Sequence, residues 1–119
     1  MKAVGNIDIV KYPTKAYTNS FCDLFSKLEE QDQRVKLVVM AEGLLEESLK
    51  EEDFKNMFSS ALSSARGSVG SFWGTAIYTV PMVGMTNPND IFAYGGDCGE
   101  LKEDFPVIYR QATGVATNP

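Results

Sequence analysis

The chain has 119 residues, the length of one domain, which excludes a two-domain enzyme. Apolar residues make up 44% and charged residues 23%, which excludes disorder and fibrous repeats as the basis of the composition. Eleven Lys and Arg stand against sixteen Asp and Glu, and the net charge of -5 makes nucleic acid and anionic membrane poor partners.

Residues 3–12 read as an extended segment with Ile7, Ile9 and Lys11 on one face, ended by Pro13. Thr18 and Asn19 are N-cap candidates for a helix whose stripe is Phe21, Leu24, Phe25 and Leu28, spaced i, i+3, i+4 and i+7. The β-branched run at 35–41 (VKLVVMA) predicts a strand buried on both faces at the centre of a sheet. Phe54, Met57, Phe58, Ala61, Leu62 and Ala65 form a second helical stripe, preceded by Glu51, Glu52 and Asp53, acids suited to a helix N-terminus. Leu44, Leu45 and Leu49 do not share that stripe, so residues 44–50 are expected as a separate turn or arm of helix, with a break near Lys50. Residues 67–71 then read as a flexible glycine loop, 75–83 as a strand ending near Pro81, and 86–90 as a turn. Short strands are predicted at 91–94 and 105–110 on either side of a turn at 95–99. This order predicts an α+β fold: a mixed sheet of four to five strands with two main helices packed on it, one domain over 1–113 and a loose tail over 114–119.

The composition also bears on chemistry. The sequence contains no His, which removes the usual neutral-pH general base and the commonest metal ligand, so a non-enzyme without cofactor or metal is the expectation. Cys22 and Cys98 lack CxxC spacing and read as reduced thiols; without a His partner, Cys98 beside Asp97 and Glu100 is a turn residue rather than a nucleophile. The spacing of Asp90, Asp97, Glu100 and Asp104 does not match a calcium loop, and Gly67 to Ser71 follows a helix where a phosphate loop would follow a strand. Glu46, Glu47, Glu51, Glu52 and Asp53 read as a solvated helix face. The start of the chain carries no apolar signal-peptide core and no run is long enough to span a bilayer, so the expected location is the cytoplasm. Trp73, flanked by Gly70 and Gly74 at a loop-strand junction, is the aromatic residue best suited to contact a partner, because aromatic side chains dominate interface hot spots, with a core anchor as the alternative role.

From Val35 to Arg110 a pattern emerges: a core strand ending in a polar step, a helix, a glycine-marked loop, a strand of the type Gly-x-x-Ile-Tyr-x-x-Pro, and an apolar strand running into Gly-Asp. Gly74, Ile77, Tyr78, Pro81, Ile91, Gly96 and Asp97 occupy its places. This pattern resembles the axial domain of tailed-bacteriophage major capsid proteins, although the chain has no room for that family's spine helix, extended loop or N-terminal arm. The resemblance implies a viral, non-enzymatic structural or assembly module that acts through protein-protein contacts, as a homo-oligomer or in a virion. Its contact loops would be 67–73 and 85–90, with Phe72, Trp73, Met85, Asn87 and Asn89 as interaction residues. The alternative is a small phage- or mobile-element-encoded protein that binds and inhibits a host protein.

Overall fold

The computed structural model describes residues 2–31, 34–60, 67–81, 87–96 and 99–114. Its elements in chain order are β1 (Lys2–Asn6), α1 (Ala16–Glu29), β2 (Val35–Ala41), α2 (Glu42–Ser48), α3 (Glu52–Met57), β3 (Phe58–Ser59), β4 (Gly70–Phe72), β5 (Thr75–Val80), β6 (Asp90–Gly95), α4 (Gly99–Asp104) and α5 (Pro106–Thr113). The fold is α+β, with a sheet of six strands rather than four or five, in the order β1-β6-β2-β5-β4-β3. β2 and β5 run parallel and the other neighbours antiparallel.

β2 lies inside the sheet, as its apolar run predicts, and sends side chains to both faces. Val38 and Met40 join α1 on one side, where Phe21, Leu24, Phe25 and Leu28 form the expected stripe. Leu37 and Val39 point to the other, where Tyr78, Tyr94, Leu101 and Ile108 close a second cluster under α4 and α5. Strict alternation would put Val35 with Leu37. The register shifts between those two residues, so Val35 joins the α1 side while Lys36 stays exposed.

Several expected elements differ. The first strand stops at Asn6; the amide of Tyr12 bonds to the carbonyl of Asp8 in a turn, leaving Ile9 and Val10 exposed. Helix α1 begins at Ala16, one turn earlier than Thr18 or Asn19 as caps would place it, because its cap comes from elsewhere in the chain. The carboxylate of Glu51 accepts the amides of Tyr17 at 3.0 Å and Thr18 at 2.9 Å, together with the Thr18 hydroxyl. Glu51 therefore leaves the solvated face to which its neighbours Glu46, Glu47 and Glu52 belong.

Residues 42–48 are a separate helix and the chain breaks at Lys50, as expected. The second long helix, by contrast, is cut to Glu52–Met57, since Phe58 pairs with Phe72 across β3 and β4. The rest of its stripe, Ala61, Leu62 and Ala65, lies outside the described residues. The glycine loop at 67–71 is in part strand β4. A Cβ on Gly70 would sit 2.5 Å from the Ser59 carbonyl oxygen, so glycine there permits close strand approach rather than flexibility. The largest departure is at the expected strand 105–110, where helix runs from Pro106 onward: Pro106 fits the first turn, and Gly114, in the left-handed region at φ 74°, terminates it. Of the expected tail only Gly114 is described.

Candidate functional site

Four phenylalanines build the platform from which the candidate site projects. Phe21 meets Phe54 edge-on at 4.8 Å, Phe54 stacks on Phe72 at 4.6 Å, and Phe25 meets Phe72 edge-on at 6.0 Å. Phe72 is thus a fully buried core anchor and not the interaction residue expected from the sequence. Alternation along a strand sends the next side chain the other way. Trp73 is 71% exposed at the tip of the β4–β5 hairpin.

The hairpin pairs Phe72 with Thr75, leaving Trp73 and Gly74 as a two-residue turn with φ of 51° and 84°. Positive φ at both central positions is the geometry of a type I′ turn, in which Asn-Gly is the favoured pair. A bulky residue in the first position is a backbone outlier that its surroundings must hold in place. The Trp73 amide donates to the Met57 carbonyl at 3.0 Å, which ties the turn to the end of α3.

Beside Trp73 opens a cleft of about 670 Å³. One wall is the C-terminal half of α1, with Cys22, Ser26 and Glu29; the other is the start of β2, with Arg34 and Lys36. Register explains the meeting: β5 begins beside the start of β2, so the hairpin tip and the two cations share one end of the sheet. Arg34 and Lys36 were missed as site residues. Their signal was a lysine inside an otherwise apolar strand, which marks the position turned outward by the bulge.

Cys22 is a free, half-buried thiol, pushed up in pKa by burial and further by the charge of Asp23, so it stays protonated and poorly nucleophilic. A second hollow, of about 320 Å³, holds Asp8, Lys11, Asp23 and Lys27. Its groups largely satisfy one another: Tyr12 donates to Asp23 at 2.6 Å and Lys11 reaches the same carboxylate at 3.3 Å. Those hydrogen bonds, that of Tyr12 first, hold the Asp23 carboxyl below the usual carboxylate range. Among the described residues no group of three His, Cys, Asp or Glu could hold a metal ion, and no helix is long and apolar enough to cross a membrane.

Of the other expected contact residues, Asn87 and Asn89 are not gathered around Trp73. Asn87 and Asn89 are exposed in the turn before β6, where the Asn87 side chain accepts the Asn89 amide at 3.0 Å. β6 runs antiparallel to β2, so this turn lies at the opposite end of the sheet from the cleft. Met85, Asp97 and Cys98 lie outside the described residues. Of the places in the capsid-type pattern, Gly74 is the turn glycine, Ile77 and Tyr78 are buried in β5, Ile91 is buried in β6, and Gly96 has φ 66° just beyond it. No protein-family model, no curated protein and no solved structure matches the chain.

Proposed function

We propose that the chain is a non-catalytic assembly module that binds protein through the β4–β5 hairpin tip, in the manner implied by its resemblance to phage capsid axial domains. The observation that carries this reading is Trp73, an exposed tryptophan held in left-handed backbone geometry where asparagine or glycine would be unstrained. Solvent gains nothing from such an arrangement, whereas a rigid hairpin presenting a large aromatic is the form of an interface anchor. The absence of His from the sequence and the protonated state of Cys22 argue against acid-base or thiol chemistry in the adjoining cleft. A module of this kind associates with increasing concentration, while an inhibitor of a foreign protein stays small.

Size-exclusion chromatography with light scattering over a wide concentration range tests the reading, with negative-stain imaging of larger species. Rings or larger assemblies that disappear in Trp73→Ala and persist in Glu47→Ala are the expected result, because a central aromatic outweighs a rim charge. A strict monomer at every concentration overturns self-assembly, and equal behaviour of two folded variants overturns the role of Trp73.

A further inference from the structure

We propose that the cleft beside Trp73 receives the acidic end of a second copy of this chain, so that subunits join head to tail. The inference rests on the assembly reading above and names the surface that Trp73 meets.

Charge supplies the first part of the argument. Lys2, Lys11, Lys15 and Lys50 are each engaged by a carboxylate. Arg34 and Lys36 are not: both are exposed, both line the cleft, and neither has an ion-pair partner among the described residues. Glu29 is the one carboxylate in that lining, so the cleft is locally cationic in a chain of net charge -5.

The complement lies on the same chain. Between residues 42 and 53 the sequence carries six carboxylates against one cation, Lys50. Glu47 pairs with Lys50, Asp53 with Lys15, and Glu51 caps α1, while Glu42, Glu46 and Glu52 are exposed and have no ion-pair partner among the described residues.

Two elements set the distance between the patches. Arg34 precedes β2 and Glu42 follows it, so the strand holds them about 26 Å apart. Helix α1 gives an independent measure, since Glu51 caps its N-terminus while Glu29, at its C-terminus, lines the cleft. A chain therefore cannot fold its acidic end into its own cleft, but two chains can each offer the other a different patch. A contact between unlike patches is heterologous and closes into a ring or grows into a filament.

The test uses the full chain by light scattering and by the fluorescence of Trp73, the sole tryptophan. Association is expected to weaken about tenfold or more between about 20 mM and about 0.5 M salt, as screening shortens the reach of the charges. Arg34→Glu/Lys36→Glu and Glu46→Lys/Glu52→Lys should each fail to associate alone. Mixed, they should regain large species, with a blue shift of the Trp73 emission, because the reversed cleft of one matches the reversed end of the other. Circular dichroism confirms that both variants are folded. Association that survives both salt and the charge reversals, yet is lost in Trp73→Ala, overturns head-to-tail pairing and leaves the assembly reading standing. A wild-type monomer at every concentration overturns both.

Discussion

At Trp73 two demands conflict. Burial favours turning a tryptophan inward, and left-handed geometry favours asparagine or glycine, yet this residue is exposed and has φ 51°. The cost follows from the clash of Cβ with the following carbonyl, roughly 1–2 kcal/mol for a non-glycine residue. Replacing Trp73 by Asn creates the favoured Asn-Gly turn. Trp73→Asn should therefore stabilise the fold by about 1 kcal/mol, raising Tm by about 4 °C, while self-association falls. Differential scanning calorimetry beside light scattering measures both; a lowered Tm would show that the indole supports the fold. Contact with a partner was legible for Trp73 from its flanking glycines only as one of two roles, the other being a core anchor. The opposite fate of Phe72 was not, because burial of that ring depends on Phe21, Phe25 and Phe54, which are far away in sequence.

Helices and strands show the same division between local and distant causes. The stripe of α1 and the run of β2 are long enough for their periods to identify them. Phe54, Met57 and Phe58 fit a helical stripe equally well whether the helix continues or stops, and the pairing of Phe58 with Phe72 ends it. FPVIYR is β-rich by composition, but Leu101, Phe105, Ile108 and Ala112 recur at helical spacing across α4 and α5, a signal that a six-residue window cannot hold. Helix α1 depends on a remote cap: the Lys15 side chain at its start makes no capping bond to the helix, and Glu51 supplies the acceptor instead. Glu51→Ala should lower stability by about 1–2 kcal/mol in urea unfolding, while Glu47→Ala, losing only an exposed pair, should change it by a few tenths. Equal losses would remove the capping role from Glu51.

On the scale of the whole molecule, one ionic contact joins the two ends of the described chain. Lys2 of β1 and Tyr94 of β6 both donate to the same oxygen of Asp104 in α4, each at 2.8 Å. Partial burial pushes the Asp104 carboxyl up, but the two hydrogen bonds and the Lys2 charge outweigh it, and its pKa falls below the usual value. Lys2 is raised in turn, chiefly by its bond to Asp104. A carboxyl depressed in the folded state contributes stability that is present above its unfolded pKa of about 3.9 and lost as pH falls through the folded value. Asp104→Asn should thus be less stable than wild type at neutral pH, and the gap should close between about pH 5 and pH 2. Urea titrations across that range measure it, and parallel curves would show that Asp104 adds no pH-dependent stability.

The sequence by itself determined what depends on composition and on neighbours a few residues apart: an α+β fold, the buried β2 strand, the α1 stripe and the break at Lys50. Only the tertiary structure decided what depends on contacts across the chain. It buried Phe72, ended α3 early, turned Lys36 outward at a bulge, and brought Arg34 and Lys36 to the end of the sheet that carries Trp73. It also sent Asn87 and Asn89 to the opposite end. Strand order and register set these positions, and both arise from pairing between segments whose local patterns do not specify one another.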